Sequence, residues 1–190
     1  NCAYYLRISR GFRILINKNL PHWENIHTII FDFDGVFTDN HVLVNQDGSE
    51  TVNCSREDSL GIDILKNFIR KKNWEVELFI LSTEKNNVVM SRSEKLKIKC
   101  NHGISNKLEF IKSYLKKRFP SKSNTQKGVI YLGNDLNDFK AMLFVGYSVS
   151  PKDAHPIIRS NAYAVLDKKG GDGFVRDFIE KLISGNKLDE

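Results

Sequence analysis

Cysteine is scarce and unpaired in this chain: Cys2, Cys54 and Cys100 are odd in number and share no close spacing. That argues against a disulfide framework or a zinc cage and fits a reducing compartment. No apolar run approaches the roughly 18 residues needed to cross a bilayer. The N-terminal stretch is broken by Arg7, Arg10 and Arg13 where a secretory signal would have an apolar centre. A membrane partner is therefore not expected, and a cytoplasmic location is. Long basic runs are lacking too. The net charge of +6 is carried by Lys71-Lys72, Lys95, Lys97, Lys99 and Lys116-Lys117-Arg118, interrupted by acids. This pattern reads as a solvated surface and not as a nucleic-acid footprint. Internal repeats and low-complexity tracts are also missing.

What is present is a globular composition of 190 residues, 41% hydrophobic and 11% aromatic, enough for one domain with a real core and an appendage. The chain opens on Asn1 and not on Met, which suits a piece of a larger protein. Residues 1–25, with Tyr4, Tyr5, Leu6, Ile8, Phe12, Ile14 and Ile16, read as an appended segment. Residues 26–190 read as the main domain. From residue 27 onward, strand-like and helix-like segments alternate. Strands are expected at 28–33, 75–81, 128–132, 146–149 and 162–166. Helices are expected around Leu60–Ile69, over 85–96, over the Leu108, Ile111 and Leu115 stripe with Ser105 as cap, and over 138–144 and 172–184. Asp47-Gly48 between Val42–Val44 and Glu50–Val52 signals a hairpin. Alternation of this kind implies a parallel sheet covered on both faces, with ligands off the carboxyl ends of its strands.

The strongest local signal is Phe31-Asp32-Phe33-Asp34-Gly35-Val36-Phe37-Thr38-Asp39. Side chains two apart on a strand point the same way, so Asp32 and Asp34 would converge at the strand's end, and Gly35 lets the backbone turn. Two acids held this close repel unless a cation or a shared proton compensates. A hard divalent cation with oxygen ligands is the natural partner. Ser82-Thr83-Glu84-Lys85 follows the next strand; a hydroxyl and backbone N–H groups at a helix start make a phosphate cradle. Lys107 opens a helix. Gly133-Asn134-Asp135-Leu136-Asn137-Asp138 crowds acids and amides into one turn after the strand ending at Leu132.

These four clusters, in this order and each after a strand, resemble the four motifs of the haloacid dehalogenase (HAD) superfamily. Arg56-Glu57-Asp58-Ser59-Leu60-Gly61-Ile62, Asp153-Ala154-His155-Pro156 and Gly170-Gly171-Asp172-Gly173-Phe174-Val175-Arg176 narrow the resemblance. They are similar to phosphatases of 3-deoxy-D-manno-octulosonate 8-phosphate and of nonulosonate (sialic acid-type) 9-phosphates. The resemblance implies a HAD-like, Rossmannoid three-layer α/β sandwich without a cap domain, with a hairpin inserted after the first strand. It further implies a phosphomonoesterase in which Asp32 is the nucleophile, Asp34 the general acid and base, and Ser82 and Lys107 stabilise the phosphoryl group. Mg²⁺ would be held by Asp32, the Asp34 backbone carbonyl and a residue among Asn134, Asp135 and Asp138. Many relatives carry Asp where this chain has Asn134, which shifts weight to Asp135 and Asp138. Thr83, Glu84, Lys85, Asp58, His155 and Arg176 would contact an anionic sugar-acid phosphate, and the implied assembly is a homotetramer. The same branch includes HAD domains fused behind acylneuraminate cytidylyltransferases, some serving mainly assembly, and such a fused or associated module is the alternative reading.

Overall fold

Residues 19–185 are described by a computed structural model. In chain order the elements are β1 (Thr28–Phe31), β2 (Thr38–Val44), β3 (Glu50–Cys54), α1 (Arg56–Lys72), β4 (Glu77–Leu81), α2 (Asn87–Leu96) and β5 (Lys99–Asn101). Then follow α3 (Lys107–Arg118), β6 (Val129–Leu132), α4 (Phe139–Phe144), β7 (Tyr147–Ser150), α5 (Pro156–Asn161), β8 (Ala164–Val165) and α6 (Phe174–Ser184). Six strands form one sheet in the order β5-β4-β1-β6-β7-β8, and every pairing in it is parallel.

Strand β1 is buried along its whole length, as a central strand covered on both faces must be. Its side chains and those of its neighbours alternate between two cores. Ile29, Phe31, Ile80, Ile130 and Leu132 pack with Ile62, Leu65, Val89 and Phe178 of α1, α2 and α6. Ile30, Phe79, Leu81, Val129 and Tyr131 pack on the other side with Ile111, Leu115, Met142 and Ile158 of α3, α4 and α5. Helix, sheet and helix thus make the three layers expected. The chain runs from β1 outward to β5, then returns to β6 on the opposite side of β1. This reversal opens a crevice beyond the carboxyl end of β1.

The hairpin is present as a separate two-stranded antiparallel sheet of β2 and β3, with Val42 opposite Val52 and an irregularity between Thr38 and Val42. Gly48, at φ +79°, closes its turn.

Three details depart from the sequence expectation. Strand β1 stops at Phe31, because the N–H groups of Val36, Phe37 and Thr38 all turn back onto the Phe33 carbonyl. The cap of α3 is Asn106, whose side chain accepts from Glu109 N–H at 3.2 Å, and not Ser105. Elements β5 and α5, of 3 and 6 residues, are too short to leave a periodic signature.

Of the appended segment, residues 1–18 lie outside the described residues. Leu20 packs against the first core, and the Trp23 ring stands edge-on to Phe68 and Trp74, with centroids 5.8 and 5.6 Å away.

Candidate active site

The crevice beyond β1 holds a buried charge cluster. The Lys107 ammonium lies 2.7 Å from an Asp32 oxygen and 2.7 Å from an Asp138 oxygen. All three side chains are almost wholly buried. Asp32 stays in the sheet's bonding pattern, its N–H donating to the Leu132 carbonyl, and its Oδ1 accepts from Phe33 N–H at 2.8 Å. Two carboxylates share one cation, so the trio carries excess negative charge, which burial penalises. Burial first, and then the neighbouring Asp138, push the Asp32 carboxyl well above its ordinary range, against the pull of Lys107. For Lys107, burial favours the neutral amine, but the two flanking carboxylates outweigh it and raise its pKa. It remains an ammonium.

Asp138 is not placed to ligate a metal, contrary to the sequence expectation. Its Oδ1 takes Lys107 and the Tyr131 hydroxyl, both at 2.7 Å, and its Oδ2 takes the N–H groups of Asn134 and Asp135 at 2.9 and 3.3 Å. Four donors fix this carboxylate as the anchor of Lys107 and of the turn before α4. Gly133 is needed for the same reason, since a Cβ there would lie 2.7 Å from Asp138 Oδ2.

A cavity of about 300 Å³ opens over the cluster, lined by Asp32, Asp34, Asn40, Thr83, Asn134, Asp135 and Asn137. Asp34 reaches it from the turn after β1 and not from a strand. The conclusion that both acids face one site holds, but turn geometry produces it. Gly35, at φ +74°, makes the turn, and a Cβ on it would sit 1.9 Å from Asn134 Nδ2. Asn134 is therefore pressed against the turn, and its buried Oδ1 has no hydrogen-bond partner among the described residues. Asp135 lies at the exposed rim, with Oδ1 accepting from Leu136 N–H.

Among the described residues no three His, Cys, Asp or Glu side chains form a metal cage. The donors that line the cavity are instead carboxylate and amide oxygens, a hard oxygen set with excess negative charge beneath it. That set, with the orphaned Asn134 Oδ1, fits a small hard divalent cation that retains water ligands.

Asp34 is raised above its ordinary pKa, by burial and then by Glu84, which favours a protonated carboxyl. Thr38 Oγ1 donates to Asp34 Oδ1 at 3.4 Å while accepting from Gly35 and Asn40 N–H. Ser82 is buried at the end of β4, and its Oγ accepts from Glu84 N–H at 3.0 Å. Parallel pairing of Phe31 with Ile80 places it level with Phe33. Thr83 lines the cavity and accepts a long contact of 3.4 Å from Asn137 Nδ2. A second cavity of about 270 Å³ adjoins the first, lined by Asp34, Asn40, His41, Glu50, Glu84 and Asn86 beside Phe33, Val42, Val52, Val88 and Val89.

Other residues expected at the site lie elsewhere. Lys85 lines neither cavity and is exposed. His155 caps α5, its Nδ1 accepting from Ile157 N–H at 3.2 Å, while its own N–H holds the Asn134 carbonyl at 2.8 Å. Arg176 pairs with Glu180 one turn along α6. Asp58 is fully buried and accepts from Arg176 N–H at 3.0 Å, capping α6, whose N-cap Gly173 has no side chain to do so. Its pKa is raised to about 6, chiefly by burial. The folded state thus binds this proton more tightly than the unfolded chain. The associated stability is full below the ordinary value of 3.8 and is lost as pH rises through about 6. Asp58→Asn keeps an acceptor for Arg176 and removes the charge. The variant is expected to match or exceed the parent in unfolding free energy at pH 7.5, by at most about 3 kcal/mol, with a Tm no lower, and to lose that advantage near pH 4. Melts across this range check it.

Tyr131 carried no sequence signal, since it reads as core, and the motifs at Asp153 and Gly170-Gly171 gave no hint of the contacts they make. Asp153 accepts from Gly170 N–H at 3.1 Å. Gly170 and Gly171 pack against the turn after β1, where a Cβ on Gly170 would lie 2.0 Å from the Gly35 carbonyl oxygen. The closing glycine motif is thus a backbone brace for the Asp34 turn.

A parallel α/β sheet with an Asp-x-Asp turn at the end of its central strand, a buried Lys–Asp pair and an inserted hairpin defines a HAD-type phosphohydrolase. No protein-family model matches the chain. The chain is 33% identical over 169 residues to the 3-deoxy-D-manno-octulosonate 8-phosphate phosphatase KdsC of Escherichia coli K12, covering 88% of this chain and 85% of that protein. It belongs to the KdsC family of HAD phosphatases. A HAD family hydrolase from Streptomyces avermitilis superposes with a TM-score of 0.77 at 38% identity, covering 90% of this chain and 94% of the other. The Moraxella catarrhalis octulosonate phosphatase, solved with magnesium, phosphate and KDO, superposes with a TM-score of 0.74 at 26% identity, covering 86% and 88%.

Proposed function

We propose that this protein hydrolyses a sugar-acid phosphate with Mg²⁺ through an aspartyl-phosphate. The observation that carries the reading is the Asp32–Lys107–Asp138 cluster opening into a cavity shared by Asp34 and the unpartnered Asn134 Oδ1. Similarity to octulosonate phosphatases, one of them solved with magnesium, supports both the substrate class and the ion.

In this reading an Asp32 oxygen attacks phosphorus as the ester P–O bond breaks, and Asp34 gives its proton to the departing alkoxide. Water then attacks the acyl phosphate, Asp34 takes the water's proton, and phosphate leaves with Asp32 again a carboxylate. Lys107, held rigid by Asp138, stabilises the phosphoryl oxygens, joined by Ser82 and nearby backbone N–H groups. Asp32, the Asp34 carbonyl and Asn134 would hold Mg²⁺, with Asp135 at the rim; the ion would neutralise charge on the transferring group. The sugar would extend into the second cavity.

The relatives favour 3-deoxy-D-manno-octulosonate 8-phosphate, whereas Ser82-Thr83-Glu84-Lys85 resembles the nonulosonate 9-phosphate phosphatases, which carry Glu-Lys there where the octulosonate enzymes carry Arg. Phosphate release from each, with Mg²⁺ and with chelator, tests the reading. Metal-dependent release from at least one is expected, and none from either would favour an assembly module linked to a cytidylyltransferase. Exposed Val42, Leu43 and Val44 on the hairpin support the proposed homotetramer, and a one-protomer mass by gel filtration would reject it.

Asn134 makes one further expectation specific. An amide oxygen brings no charge to the ion, so Asn134→Asp is expected to lower the Mg²⁺ concentration for half-maximal release about tenfold, since affinity follows ligand charge. A titration of phosphate release against Mg²⁺ checks this.

A further inference from the structure

We propose that Asn40 determines specificity, its side-chain amide hydrogen-bonding a hydroxyl of the leaving group next to the phosphate ester; this rests on the phosphatase reading above. Two residues, Asp34 and Asn40, line both cavities. A substrate with its phosphorus over Asp32 and its body in the second cavity must therefore pass between them. Asp34 meets the bridging oxygen as acid. Asn40 is the group on the other bank.

The backbone at Asn40 is unusual for a strand. Its φ is +64°, in the left-handed region, at the irregularity between Thr38 and Val42. Its N–H donates to Thr38 Oγ1 at 3.2 Å, and that hydroxyl in turn holds Asp34 Oδ1. Glycine would meet this backbone requirement at no steric cost, and asparagine is among the few other residues that tolerate it. What asparagine adds is an amide with two donors and an acceptor. Among the described residues that amide makes no hydrogen bond within the protein, and Asn40 is exposed to the cavities. The acids beside it, Glu50 and Glu84, can only accept when ionised, and the Asn86 amide is committed to Glu50 Oε2 at 2.6 Å. Asn40 thus supplies an uncommitted neutral donor to substrate oxygens where the two cavities meet, opposite Asp34 and beside Glu50 and Glu84. A polyhydroxylated leaving group can use it; a bare aromatic one cannot.

The test compares kcat/KM for 3-deoxy-D-manno-octulosonate 8-phosphate, or for a nonulosonate 9-phosphate if the parent prefers it, with kcat/KM for p-nitrophenyl phosphate. Asn40→Gly preserves the backbone, and Asn40→Asp preserves shape while replacing the donor with a charge. The ratio of sugar-acid phosphate to aryl phosphate is expected to fall about tenfold in Asn40→Gly, as for loss of one hydrogen bond to substrate. It is expected to fall further in Asn40→Asp. An unchanged ratio in folded, active variants overturns the role of Asn40 alone, as does an equal loss on both substrates. No phosphate release by the parent from either substrate overturns the phosphatase reading itself.

Discussion

Replacing Asp32 with Asn is expected to lower Mg²⁺-dependent phosphate release by about 10⁴-fold or more, the scale seen when a covalent nucleophile is removed. The amide has nearly the shape of the carboxylate and can still accept from Phe33 N–H, but it cannot attack phosphorus. Stability is expected to move in the opposite sense. Lys107 now faces two buried carboxylates, and removing one leaves a balanced pair with Asp138, so the variant should melt no lower than the parent. An inactive protein with an unchanged or higher Tm separates loss of chemistry from loss of fold. Retention of more than about 1% of parental activity would remove Asp32 from the nucleophile's place.

The same cluster shows how far the sequence could be read. The alternation of Ile29, Ile30 and Phe31 across two cores was legible because strand period and burial coincide. The convergence of Asp32 and Asp34 was legible too, although the strand ends sooner than its apolar pattern suggests. Once three N–H groups turn onto the Phe33 carbonyl, pairing cannot continue. Asp138 was misplaced because a carboxylate in a motif says nothing about its direction. Direction was set by Tyr131, a strand residue whose hydroxyl is invisible in a hydrophobic pattern, and by Lys107, 31 residues away in the chain. Asn134 carried less weight than the proposed site gives it, for the converse reason. Charge made its acidic neighbours the better ligands on paper, but contact with Gly35 presses the amide against the Asp34 turn, while Asp135 is left at the rim. Asp58 and His155 proved to be helix caps, a use that depends on which helix start folds over them.

The structure also separates the protein's overall charge from the charge of its site. A net charge of +6 would draw an anionic substrate at long range. Yet among the described residues the second cavity presents Asp34, Glu50 and Glu84 and no Lys or Arg. A sugar acid is therefore expected to enter this passage with its hydroxyls, keeping its carboxylate outside. That orientation fits a phosphate carried at the end of the sugar remote from the acid group.

Lys107→Met carries the second large effect, because it strikes fold and chemistry together. The methionine side chain resembles lysine's stem but leaves Asp32 and Asp138 buried side by side without their cation. Breaking such a buried pair costs about 3–5 kcal/mol, enough to bring a domain of this size close to its unfolding threshold. The expected result is a large fall in Tm at pH 7.5. Activity should fall by about 10²–10³-fold, the range for a lost group that stabilises transition-state charge. Adding Asp138→Asn to Lys107→Met removes one of the stranded charges, so most of the lost stability should return while activity does not. Melts and phosphate-release assays on the parent and both variants check this. If the double variant recovered activity along with stability, Lys107 would be a structural cation only. If Lys107→Met melted like the parent, the three charges would not share the buried site from which the proposed chemistry starts.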